Sequence, residues 1–111
     1  TNFKHPITSV AIQWQFPQQV MLKQNYPNPF NPSTKIEFSL PEDSEASLKI
    51  YDITGQEVLV VLTNESLPGG MYRYELDATN LPSGIYIYFL AAKSNVSKKS
   101  FHHSKKMILL K

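Results

Sequence analysis

The sequence predicts an all-β fold, an immunoglobulin-like antiparallel β-sandwich of about seven strands. Three observations lead there. Apolar and polar residues alternate with a period of two in several short runs, the pattern of a strand with one buried face. Eight prolines and four glycines punctuate those runs, at intervals of about ten residues, which suits a sandwich. No stretch sustains the 3.6-residue stripe of an amphipathic helix. The chain has 111 residues, 41% of them hydrophobic, enough for one domain with its own core. Its longest apolar runs, 58–62 and 85–92, fall far short of the roughly 20 residues a membrane-spanning helix needs.

Each strand is read from its own pattern. Val10, Ile12, Trp14 and Phe16 alternate with Ala11, Gln13 and Gln15 until Pro17 stops the run. Ile36, Phe38 and Leu40 alternate with Lys35, Glu37 and Ser39 and end at Pro41. Leu48 and Ile50 lead into Asp52-Ile53-Thr54-Gly55, whose spacing suits a type I turn with glycine in the left-handed position. Residues 58–62 are apolar on both parities, as a strand covered on both faces would be. Leu67-Pro68-Gly69-Gly70 is a turn before the alternating Tyr72, Tyr74 and Leu76. Leu81-Pro82-Ser83-Gly84 is another, before Tyr86, Tyr88 and Leu90, which alternate with Ile85, Ile87 and Phe89. The polar stretch 93–100 reads as a loop, and 107–110 as a final apolar strand. The expected core includes Ile36, Phe38, Leu48, Ile50, Val60, Leu76, Leu90 and Leu109.

Composition excludes much chemistry. With no cysteine there are no disulfides, thiolate metal sites or cysteine nucleophiles. His102 and His103 are adjacent, so a strand sends them to opposite faces and one metal ion cannot use both. No Gly-x-Ser-x-Gly elbow exists, and a triad would depend on His5, His102 or His103. Asp52 and Asp77 read as turn residues bonding the backbone, and Glu42-Asp43 as a solvated acidic turn. The net charge of +2 is unevenly laid out. Residues 36–77 hold every acid, whereas 78–111 hold lysines and no acid. Those lysines are interleaved with apolar residues and lack arginine, which argues against nucleic-acid binding. Tyr72, Tyr74, Tyr86 and Tyr88 are expected to face inward, the rival being an aromatic platform for carbohydrate.

One segment stands apart. Asn25, Tyr26, Pro27, Asn28, Pro29, Phe30, Asn31 and Pro32 interleave proline with asparagine after Gln24. Proline fixes φ and biases its neighbour to extended geometry, so the block is stiff before folding. It reads as a rigid loop that staples a sheet edge, with Tyr26 and Phe30 as apolar anchors.

In this order these motifs resemble the C-terminal sorting domain of type IX secretion substrates. The resemblance rests on the Asn-Pro block, on Ile50-Tyr51-Asp52 through Gly55, and on Gly70-Met71-Tyr72 to Asp77. It continues through Leu81 to Gly84-Ile85-Tyr86-Ile87-Tyr88-Phe89-Leu90 and ends in Lys105-Lys106-Met107-Ile108-Leu109-Leu110-Lys111. It makes residues 19–111 the sorting domain and 1–18 a linker or the end of an upstream cargo domain. Residues 91–104 are a few positions longer than the family pattern. What the resemblance implies is a secretion signal, not an enzyme, with no cofactor. The implied partners are the cargo, the outer-membrane translocon with its shuttle components, and a sortase-like protease. The implied route is transit through the periplasm to the cell surface or medium. The signal read by the machinery would be Lys105, Lys106, Met107, Leu109, Leu110 and Lys111, supported by Gly84 and Tyr86 on a neighbouring strand. An apolar terminal strand flanked by lysines also suggests an open edge, suited to strand addition by a receptor or to self-association. The alternative is a structural or carbohydrate-binding module attached to an extracellular enzyme.

Overall fold

A computed structural model describes residues 19–111. The strand expected over 10–16 and the linker assigned to 1–18 lie outside the described residues. Seven strands run in order: β1 (Met21–Leu22), β2 (Ser33–Leu40), β3 (Ser44–Asp52), β4 (Glu57–Leu67), β5 (Gly70–Asp77), β6 (Gly84–Ser94) and β7 (Ser100–Leu109). They form a three-stranded sheet in the order β1-β2-β5 and a four-stranded sheet in the order β4-β3-β6-β7. Every named strand pair is antiparallel. The all-β sandwich is as the alternation predicts, although β1 is too short to carry a periodic signal.

The core lies between the sheets. Ile36, Phe38, Leu48, Ile50, Leu76, Leu90 and Leu109 are all buried, as expected. Val60 is not: it is 47% exposed. The β3–β4 ladder slips between Leu48 and Lys49, and Val60 falls opposite Lys49 on the outer face while Leu62 falls opposite buried Leu48. A bulge has shifted the parity of β4, and the strand is an edge of its sheet, so 58–62 is not a strand covered on both faces.

Two turns share one sequence spacing, Leu-Pro-x-Gly-x-Tyr. In each, the tyrosine hydroxyl donates back to the proline carbonyl, Tyr72 to Pro68 and Tyr86 to Pro82. The β3–β4 turn matches its prediction. Gly55 has φ +89° and its N–H donates to the Asp52 carbonyl at 3.0 Å, a conformation that suits glycine. The stretch 93–100 is shorter as a loop than its polarity suggests. β6 runs through Ser94, β7 starts at Ser100, and Lys93 pairs with Ser100 across the hairpin. Ser94 organises the tight turn: its Oγ accepts from the N–H of Val96 and of Ser97, each at 3.0 Å, and donates to Glu42 Oε1 at 2.6 Å. Glu42 is therefore a loop staple, and that bond holds its carboxyl below the usual range.

Candidate functional site

The terminal strand is built into the molecule by the Asn-Pro block. Phe30, buried, forms a parallel bridge with Leu109. Its N–H donates to the Ile108 carbonyl at 2.9 Å and its carbonyl accepts from Leu110 N–H at 3.0 Å. Asn28 Oδ1 accepts from Ile108 N–H at 2.9 Å, and Gln24 Nε2 donates to the Lys106 carbonyl at 2.7 Å. The carbonyls of Lys106 and Ile108 and the N–H groups of Ile108 and Leu110, on the outer edge of β7, are thus engaged. This corrects the expectation of an open edge. Strand addition by a receptor, or edge pairing between copies, finds these groups already bonded here.

The block is itself held by a buried polar knot. Asn25 is buried, and its N–H donates to the Tyr88 hydroxyl at 2.8 Å. That hydroxyl donates onward to the Lys23 carbonyl at 2.6 Å. Asn25 Nδ2 reaches Thr34 Oγ1 at 3.0 Å and the Pro27 carbonyl at 3.1 Å. Burial pushes the Tyr88 hydroxyl up to about 12. The peptide bonds before Pro27, Pro29 and Pro32 are cis. Pro32 accepts from Ala78 N–H at 2.9 Å, while Asn31 is exposed. Only one of the two expected anchors is an anchor. Phe30 enters the core, whereas Tyr26 is 80% exposed. Tyr26 exchanges both backbone bonds with Lys35, and that bridge continues the outer, polar parity of β2.

The residues assigned to the signal come together but divide by burial. Gly84 pairs with Leu109 and Tyr86 with Met107 across β6 and β7. Met107 and Leu109 are fully buried at 0% and Tyr86 is buried too, so they hold the strand and present nothing to a partner. Lys106, Leu110 and Lys111 are exposed and Lys105 is half-buried. Lys111 N–H donates to Ser83 Oγ at 2.9 Å and its Nζ to the Thr79 carbonyl, which fixes the chain end beside the β5–β6 turn. There, Gly84, Tyr86, Leu81 and Ile53 line a shallow cleft of about 360 Å³. A methyl group on Gly84 would meet nothing closer than the Tyr86 ring at 3.8 Å, an ordinary contact.

Asp52 and Asp77 act as turn residues, as expected. Asp52 Oδ1 accepts from Thr54 Oγ1 at 2.6 Å and from the N–H of Thr54 and Gln56. Asp77 Oδ1 accepts from Thr79 N–H at 2.9 Å. The threonine hydroxyls hold both carboxyls below their usual range. Tyr86 and Tyr88 are buried, and Tyr72 and Tyr74 stack on buried Phe38 with ring centroids 5.4 and 5.8 Å apart. The inward placement removes the aromatic platform. His102 and His103 lie opposite Ala91 and Leu90, on opposite parities.

Sequence reasoning missed Gln24 and Asn28 as partners of the terminal strand. Their contacts span 82 and 80 residues, and no local pattern encodes a side-chain bond over that distance.

Among solved structures, CopC from Methylosinus trichosporium OB3b is similar with a TM-score of 0.53 at 18% identity, over 82% of this chain and 93% of that one. It shares the fold. PorZ, a surface component of the type-IX secretion system of Porphyromonas gingivalis, gives a TM-score of 0.44 at 22% identity, over 83% of this chain and 11% of that one. The β-glucuronidase of Parabacteroides merdae gives 0.48 at 14% identity, over 85% of this chain and 13% of that one. No curated protein sequence matches. The family model described as secretion system C-terminal sorting domain matches residues 24–108, from the block that clasps the terminal strand to the strand itself. The chain belongs to the secretion system C-terminal sorting domain family.

Proposed function

We propose that this domain is a non-catalytic signal that directs an upstream cargo protein across the outer membrane through the type IX system. The family match over residues 24–108 carries the reading. The domain travels through the periplasm with its cargo and is read by the translocon and its shuttle components. A sortase-like protease then separates it from the cargo at the cell surface or during release. The exposed members of the terminal motif, Lys106, Leu110 and Lys111, are the side chains available for reading. The buried ones, Met107 and Leu109, keep those side chains in place. Recognition therefore works on side chains of a folded strand, since the outward backbone groups of Ile108 and their neighbours on Lys106 and Leu110 are already engaged.

The test is a reporter fused ahead of the chain in a host carrying the type IX system. The unmutated fusion is expected at the surface or in the medium. Lys106→Ala with Lys111→Ala is expected to leave it in the periplasm, as is deletion of 105–111. Normal delivery of the deleted fusion would defeat the reading. A polysaccharide that shifts tyrosine fluorescence of the purified chain would favour the carbohydrate-binding alternative.

A further inference from the structure

The two outer faces of the sandwich differ in kind. On the three-stranded sheet, β2 and β5 turn Lys35, Glu37, Arg73 and Glu75 outward, and Glu37 is ion-paired to both Arg73 and Lys23. That is the ordinary arrangement of an antiparallel sheet with one wet face. On the four-stranded sheet β6 turns Ile85, Ile87 and Phe89 outward, followed by Ala91 and Lys93. Ile85 and Ile87 are 44% and 37% exposed. Tyr51 on β3 and Ile108 on β7 extend the stripe, facing Ile87 and Ile85 across the ladders. A contiguous exposed apolar stripe rimmed by polar residues marks an interaction surface.

Charges on this face are few: Lys106 and the Lys49–Glu57 pair flank the stripe, and Glu45 and Lys93 stand opposite each other at its far end. Lys106 stands directly across from Ile87. Lys49, on the same face, is ion-paired to Glu57 at 3.5 Å, but among the described residues no carboxylate lies within ion-pair distance of Lys106. We propose that this outer face of β3, β6 and β7 is a docking surface for a protein partner presenting an apolar ridge and a carboxylate that meets Lys106. The inference rests on the sorting reading, because Lys106 is an exposed lysine of the terminal motif and the apolar stripe runs beside it. A second copy does not satisfy the face. Twofold pairing centred on Ile87 would bury both Lys106 ammonium groups in one apolar contact, with each Glu57 already committed to Lys49 and each Glu45 six residues along β3 from Tyr51, beside Lys93, which leaves the pair uncompensated. Nucleic acid would need cations where the isoleucines stand.

The same fused reporter tests it. Ile87→Glu puts a charge into the apolar contact, and Lys106→Glu sets like charges against each other. Each is expected to lower surface delivery by about tenfold or more, as loss of one central contact does. Lys106→Arg is expected to retain delivery, and Glu75→Lys, on the other sheet's outer face, to leave it unchanged. Thermal melting of the 111-residue chain accompanies each variant. If Ile87→Glu melts early, Ile87→Thr, which keeps a β-branched residue, decides by a smaller loss of delivery at an unchanged melting point. Delivery of folded Ile87→Glu at the unmutated level would overturn the docking face while leaving the sorting reading intact. Retention of the unmutated fusion in the periplasm would instead remove the sorting reading on which the face rests. Flotation of the chain with anionic phospholipid vesicles, lost in Ile87→Glu, would assign the face to a membrane and overturn the proposal.

Discussion

β4 and β7 are the two edges of the same four-stranded sheet, and both read in sequence as strands apolar on both parities. Their fates differ. β7 buries Met107 and Leu109 and has its outer edge bonded to Gln24, Asn28 and Phe30. β4 buries only Leu62, slips register against β3 and leaves Val60 on the surface. Local hydrophobicity is similar in the two segments. What separates them is a third element: the Asn-Pro block lies along β7, and no described element lies along the outer edge of β4. Burial of a double-sided apolar strand is thus decided by whether distant chain arrives to cover it.

The largest expected effect tests that division directly. Leu109→Ala removes a fully buried side chain from the point where Phe30 bridges β7. Its cost should fall in the range of about 2–5 kcal/mol of unfolding free energy measured by denaturant titration. A loss under about 1 kcal/mol, the scale of a surface change, would show that the clasp is not a packed unit.

The knot behind the clasp comes next. Tyr88→Phe removes the acceptor of Asn25 N–H and the donor to the Lys23 carbonyl. Leaving a buried N–H unpaired should cost about 1–3 kcal/mol, and Lys106–Leu109 amides should exchange hydrogen faster than those of β3. The same hydroxyl gives an alkaline signature. In the unfolded chain it ionises from its ordinary value of 10.0, and in the folded domain only near 12. Between those values the unfolded state loses the proton first, so its contribution is complete below pH 10 and is lost as pH rises toward 12. The drop should be about 1–2 kcal/mol, less than the full two-unit shift implies because the exposed Lys23–Gln24 segment admits solvent. Burial also raises Tyr72, Tyr74 and Tyr86, in the same sense. Equilibrium unfolding between pH 9 and 12 should therefore be steeper for the unmutated chain than for Tyr88→Phe; parallel curves would remove Tyr88 as the cause.

How much of this was legible follows from the range of each interaction. Period-two alternation placed Ile36, Phe38, Leu48, Ile50 and Leu90 in the core, because one strand's facing is a local property. Asp52 and Gly55 announced their turn for the same reason. The Asn-Pro block read as a staple, since proline and asparagine carry that meaning locally. Which edge it staples was not legible, because the bonds from Gln24 and Asn28 join residues some eighty positions apart. Tyr26 misled because an aromatic next to proline looks like an anchor until its backbone pairing with Lys35 turns it outward. Val60 misled because a bulge reverses facing without changing composition. At the candidate site the sequence grouped Gly84, Tyr86 and residues 105–111 correctly in space and placed Leu109 in the core; the structure adds that Met107 is buried with it and that Lys106 is presented.

Asn28→Ala isolates one bond of the clasp. It leaves Ile108 N–H without its side-chain acceptor at a site open to water, so the cost should be about 0.5–1.5 kcal/mol. An equal cost for Asn31→Ala, whose side chain is exposed, would show that the block acts through composition and not through that contact.

The smallest effect belongs to β4. Val60 faces outward opposite Lys49, on an edge whose register is already broken by bulges. Val60→Thr keeps the β-branched shape that favours a strand and exchanges a half-exposed methyl for a hydroxyl that water can bond. Stability should therefore change by no more than about 0.5 kcal/mol in either direction, in the same titration that registers Leu109→Ala as severe. Because Thr also lowers the apolar character of an exposed edge, the variant should be at least as soluble as the unmutated chain at high concentration. If Val60→Thr instead destabilises by about 1.5 kcal/mol or more, the value expected of a buried valine, then β4 is covered after all, and the contrast between the two edges disappears.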